Sequence, residues 1–226
     1  MGCAGAKMGE PVRPQGGDSR RCVATFAALF LAYLAFLAVM RRRIGPEPIG
    51  PAGLLTVSRA AGAAAVLALA ITGAPVRTRG QGRFVFALAL LCSTATDWLD
   101  GPLARRHGPT LLGSVMDIEA DSLLTLAMAA GAVRWGGLHS VALIPPVVRY
   151  SDLVRAVLRG AVFTPIGTRS SRATGWVQML LFLLALYPGR SRRWRRSLRY
   201  AGVPVGLAQL ATQLRDRWTR AAILRQ

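Results

Sequence analysis

The chain has 226 residues, is 52% hydrophobic and carries a formal net charge of +19. Repeated long uncharged runs exclude a soluble nucleic-acid binder of similar basicity, so no nucleic-acid partner is expected; the profile is that of a multi-span membrane protein with basic ends and loops that suit anionic lipid. Cys3, Cys22 and Cys92 have neither the spacing of a disulfide framework nor that of a zinc site.

In chain order, residues 1–21 are rich in glycine, polar and basic, which predicts a disordered tail. Residues 22–40 form an uncharged run of 19, ended by Arg41, Arg42 and Arg43. No small-x-small cleavage site precedes those arginines, so the run reads as a retained extra N-terminal helix, 22–43, and not as a cleaved signal. Pro46, Pro48 and Pro51 separate it from the next helix. Six more helices are predicted at 54–72, 83–100, 111–134, 138–159, 172–188 and 199–214, joined by short turns rich in glycine, proline and arginine. The apolar runs are continuous and do not alternate, which argues against strands. The expected fold is all-α: a polytopic membrane helical bundle with six core transmembrane helices and the additional N-terminal one. Several uncharged cores fall short of the roughly 20 residues a span requires, so charged groups must lie inside helix ends. Arginines at both ends of the bundle leave its orientation undecided by the positive-inside rule.

The chemistry concentrates at residues 97–121. Five of the ten acidic residues of the chain fall in these 25 positions: Asp97, Asp100, Asp117, Glu119 and Asp121. Carboxylates are costly in hydrocarbon, so a group of them between apolar runs marks a functional site. Asp97 and Asp100 share a face at the end of one predicted helix, and Asp117 and Asp121 share a face near the start of the next. Four anions that close repel strongly unless a cation intervenes, and an all-oxygen ligand set favours magnesium, manganese or calcium. Glu119 points to the opposite face and reads as a packing or ion-pair residue. Gly101 leaves the backbone open to a metal or phosphate, Arg105 is placed to grip phosphate oxygens, and Gly113 allows close helix approach. Ion pairing of the aspartates with nearby arginines is the plainer alternative, which four spaced aspartates with two glycines and an arginine make the weaker one.

These residues resemble the signature of the CDP-alcohol phosphotransferases, D-x-x-D-G-x-x-A-R-x8-G-x3-D-x3-D. Asp97, Asp100, Gly101, Ala104, Arg105, Gly113, Asp117 and Asp121 fall on its eight fixed positions, with seven residues in place of eight between Arg105 and Gly113. Thr56 and Arg59 resemble the T-x-x-R that opens the family's first core helix, with Gly53 where an asparagine is usual. Ser171, Arg172 and Gln178 resemble the opening of its fifth. The resemblance implies a membrane domain at 51–214 followed by a basic tail at 215–226, usually a homodimer in the cell membrane, multi-pass, with its active site facing the cytoplasm. It implies two magnesium (or manganese) ions held by Asp97, Asp100 and Asp117, with Asp121 as general base and possible further ligand. Thr56, Arg59, Gly101, Ala104, Arg105 and Gly113 would then lie against a CDP-activated lipid, with CDP-diacylglycerol foremost. The hydroxyl of an acceptor alcohol would attack the lipid-linked phosphorus and CMP would leave.

Arg149, Arg169 and Arg172 are the candidates for binding an acceptor, particularly a phosphorylated one. Arg149 interrupts the apolar stretch 141–148 and is equally well explained by a pair with Asp152, three residues on. His107 and His139 are isolated and have no assigned ligand role. Two other classes stay open: a membrane prenyltransferase with magnesium-bound diphosphate, and a non-catalytic cation carrier.

Overall fold

The computed structural model describes residues 16–45, 50–73, 81, 84–89, 91–93, 95–96, 110–159, 169–187 and 191–223. Among the described residues every regular element is a helix and there is no strand. The helices with complete bounds are α1 (Gly16–Ile44), α2 (Pro51–Thr72), α3 (Leu111–Gly131), α4 (Ile144–Leu158), α5 (Arg169–Leu186) and α6 (Arg192–Ile223). Residues 84–89, 91–93 and 95–96 are helical as well.

Local chemistry sets the ends. Pro51 opens α2, where its missing N–H is no loss, and Gly73 closes it in the left-handed region (φ 78°), donating its N–H to the Leu69 carbonyl at 2.8 Å. Thr110 caps α3 by accepting the Gly113 N–H on its hydroxyl at 2.9 Å. The expected single helix at 111–134 instead passes into a π-helical turn, Ala132–Gly136, that Gly137 terminates at φ 79°. His139 then accepts the Val141 N–H on Nδ1 at 3.3 Å and starts a 3-10 turn, Ser140–Leu143, that leads into α4.

The largest departure from expectation is α6. The arginine-rich segment before residue 199 reads as a connection, yet helix runs from Arg192 onward through Pro204. Arginine is a good helix former, and no glycine or proline interrupts residues 192–201, so density of charge alone does not end the helix.

The core is the α2–α3 pair. Ala60, Ala63, Ala64 and Ala68 on α2 and Ala120, Ala127 and Ala129 on α3 are all buried, and such small side chains let two backbones approach closely. Gly131 extends that close packing: a Cβ there would overlap the Phe86 ring, itself edge-on to Trp135 at 5.0 Å. α1 lies against this pair through Tyr33, Leu37 and Met40. α5 and α6 run antiparallel, with the hydroxyls of Thr174 and Thr212 3.3 Å apart. The outer surface remains apolar, with Leu31, Phe84, Leu91, Trp176 and Leu180 exposed, the kind of surface lipid covers. Among the described residues two helices are long and apolar enough to cross a membrane, Ser19–Ile44 and Pro51–Thr72.

Candidate active site

Asp117 and Asp121 lie four residues apart on α3, and the i,i+4 spacing stacks them on one face toward α2. There they meet Arg59. One terminal nitrogen of its guanidinium donates to Asp117 Oδ1 and the other to Asp121 Oδ1, each at 2.9 Å. The Arg59 side chain is 1% exposed, whereas those of Asp117 and Asp121 are 51% and 53% exposed. A buried cation therefore forms the floor of the site, and two carboxylates stand on it facing outward. This planar fork holds both carboxylates in a fixed geometry that the rotatable ammonium of a lysine lacks.

Thr56, one turn before Arg59, is buried and donates its hydroxyl to the Ala52 carbonyl at 3.0 Å. Gly113 takes part through its backbone. A Cβ would stand 2.8 Å from the capping hydroxyl of Thr110, so the glycine keeps the helix cap intact, a different reason from the close helix approach read from the sequence. Asp97, Asp100, Gly101, Ala104 and Arg105 lie outside the described residues.

One position beyond Asp121 on α3, Ser122 is buried and accepts the Arg149 Nε–H at 2.5 Å while donating to the Ile118 carbonyl at 2.6 Å. Arg149 of α4 is thereby tied to the residue next to Asp121 in the chain. Glu119 is buried, with Arg149 within electrostatic reach but no ion pair between them. Nothing in the spacing of Ser122 marks it; a lone serine in an apolar helix is a weak signal until its partner is known. Arg169 and Arg172 sit in the first turn of α5, with side chains outside the described ones.

The donor chemistry fits a hard divalent cation: Asp117 and Asp121 offer oxygen only, on one face, both half-exposed. Among the described residues no group of three or more His, Cys, Asp or Glu side chains gathers; the other half of the quartet, Asp97 and Asp100, lies outside them.

A model of the family described as CDP-alcohol phosphatidyltransferase matches residues 51–210, a span that holds Arg59, Asp117, Asp121 and Arg149 and leaves α1 outside. Neither the curated proteins nor the solved structures contain a match to the chain.

Proposed function

The chain belongs to the CDP-alcohol phosphatidyltransferase family, which makes it a transferase of substituted phosphate groups, and from that premise we propose that it moves a phosphatidyl group from CDP-diacylglycerol to an acceptor alcohol. The family is membrane-integral and serves phospholipid synthesis. In the proposed reaction the acceptor oxygen bonds to the lipid-linked phosphorus, the bond from that phosphorus to CMP breaks, and the hydroxyl proton passes to Asp121.

The observation that supports this reading is the pair of half-exposed carboxylates standing on a buried arginine within the matched span. Asp121 faces outward and has the carboxylate a general base needs. Asp117, with Asp97 and Asp100, would hold two magnesium or manganese ions, which when bound supply charge neutralisation at the phosphate oxygens. Arg59 acts through the two aspartates as a positioning residue, so its role is assigned to them and not to direct contact with CDP. Gly101, Ala104, Arg105, Gly113 and Thr56 remain on the CDP-lipid side. Arg149, held by Ser122 beside Asp121, is the foremost acceptor residue, with Arg169 and Arg172 behind it. The bundle is proposed to span the membrane several times as a homodimer, with the aspartates facing the cytoplasm.

The test is purified full-length protein with labelled CDP-diacylglycerol and a panel of alcohols, among them glycerol phosphate and inositol phosphate. The expected result is CMP and one new phospholipid with one acceptor. Release of CMP with none of the panel, or lipid product without CMP, would contradict it.

A further inference from the structure

At the end of the bundle away from the aspartates a cavity of about 500 Å³ opens between the turn after α3 and the start of α6, lined by Gly137, Arg196, Arg199 and Tyr200. Asp121 and Gly136 are separated by 15 residues, nearly all helical, or roughly 20 Å at the helical rise. A phosphate in the catalytic site cannot reach this cavity.

The sequence places its lining residues together. Arg196, Arg199 and Tyr200 recur at i, i+3 and i+4, one face of α6. Leu198, buried between the arginines, anchors that part of the helix. The opposite wall is Gly137, held at φ 79° by its place at the end of the π turn and carrying no side chain to fill the space. The next residue, Leu138, is buried, donates its N–H to the Ala132 carbonyl at 3.1 Å and packs beside Gly202 of α6.

Charge supplies the second observation. Among the described residues neither Arg196 nor Arg199 has an ion pair or a side-chain hydrogen bond, and no acidic residue occurs anywhere in residues 153–215. Arg134, at the same end, is already engaged: its guanidinium reaches the Ile71 carbonyl at 3.4 Å and lies over the Trp135 ring. Two guanidinium groups one turn apart with no local acid repel each other, and an anion between them removes that cost. Their planar forks match phosphate oxygens. Tyr187, Trp194 and Tyr200 are exposed around the cavity end of the bundle, as aromatic side chains are at a membrane–water interface.

We propose that Arg196 and Arg199, with Tyr200 and Gly137, form a second phosphate-binding site at the non-catalytic end of the bundle, one that takes the phosphate of a membrane lipid headgroup. The test uses full-length protein in detergent and native mass spectrometry with three probes: short-chain phosphatidic acid, the matching diacylglycerol, and inorganic phosphate. Wild-type protein should retain phosphatidic acid and not diacylglycerol. An Arg196→Gln/Arg199→Gln variant should bind phosphatidic acid at least tenfold more weakly, whereas Arg193→Gln, an exposed arginine on the same helix that does not line the cavity, should bind as wild type. CMP release from CDP-diacylglycerol should be unchanged in both, which separates this site from the catalytic one. Inorganic phosphate that displaces the lipid identifies the phosphate itself as the recognised group; phosphate retention without any lipid retention overturns the headgroup assignment and leaves a free-anion site. Equal affinity in the double variant and wild type, equal loss in Arg193→Gln, or equal retention of diacylglycerol would overturn the site altogether.

Discussion

Arg59 holds Asp121 at 2.9 Å from beneath, with its own side chain at 1% exposure and the aspartate's at 53%. Asp117 shares the same guanidinium at the same distance. The relationship orders the two carboxylates before any substrate arrives and limits their mutual repulsion.

Loss of Arg59 should therefore be felt first in stability. In Arg59→Ala two carboxylates lose their common counter-charge and a buried space opens beneath them. Hydrogen bonds to charged groups contribute roughly 1.5–3 kcal/mol, and half-exposed carboxylates keep part of their hydration, so a loss of about 2 kcal/mol is expected. Magnesium should restore part of it, because a divalent cation replaces the missing charge. Arg59→Lys should fall between, keeping the charge but not the fork. Thermal unfolding in detergent with magnesium or with chelator reads all three; a variant as stable as wild type without metal would refute the bridging role.

Asp121→Asn should insert and fold, yet lower turnover by the roughly 10²- to 10⁴-fold typical of general-base loss. Binding of the CDP-lipid should survive better than in Asp117→Asn. An equal loss of donor affinity in the two variants would mark Asp121 as chiefly a metal ligand.

Much of this site is legible in the sequence, and the reason is helical periodicity. Asp117 and Asp121 four apart must share a face, and Glu119 between them must not. What stayed hidden is tertiary. Arg59 meets the aspartates across about 60 residues of chain; ion pairing of the aspartates with an arginine is the plainer alternative in the sequence, but nothing there names Arg59 as the partner, which the T-x-x-R resemblance assigns to the CDP-lipid. For Arg149 the sequence offers the neighbour Asp152 as partner, whereas the described bond goes to Ser122, 27 residues away. The helical start of α6 is obscured by six arginines in residues 189–199, which resemble a loop by charge while favouring helix by propensity. Asp97, Asp100, Gly101, Ala104 and Arg105 remain as the sequence has them, outside the described residues.

Arg149 and Ser122 separate acceptor binding from donor binding. If the acceptor carries a phosphate, Arg149→Ala should raise its Michaelis constant on the order of 10- to 100-fold, the equivalent of one charge-assisted contact. Ser122→Ala removes the tether, together with the hydroxyl's bond to the Ile118 carbonyl, and should raise it by a few-fold, with the value for CDP-lipid nearly unchanged in both. If both variants lose stability and neither changes acceptor affinity, the Arg149–Ser122 bond is structural.

Tyr33 tests the extra helix. Its ring is buried between α1 and the core, and its hydroxyl has no hydrogen-bond partner among the described residues. Removing an unsatisfied polar atom without changing shape is close to neutral or stabilising. Tyr33→Phe should therefore match or exceed the wild-type melting temperature, while Tyr33→Ala should cost roughly 3–5 kcal/mol as a large-to-small core change. A clear loss in Tyr33→Phe would mean that the hydroxyl has a partner in the working enzyme.

Gly131 sets how closely α3 approaches the ring of Phe86. Gly131→Ala should destabilise by about 1–3 kcal/mol through overpacking, against the usual gain from alanine inside a helix. Phe86→Leu in the same chain should recover part of the loss, as read by thermal unfolding of the single and double variants.

In the proposed reaction, carboxylates and a divalent cation together release CMP from a CDP-lipid. Its most direct measurement is CMP release from CDP-diacylglycerol by the purified chain, in the presence of its acceptor, as magnesium is titrated into chelator-treated protein. Expected are no release without metal, saturable release as magnesium rises, and none at any magnesium concentration from Asp117→Asn combined with Asp121→Asn. Release that persists in chelator, or in that double variant, would contradict it.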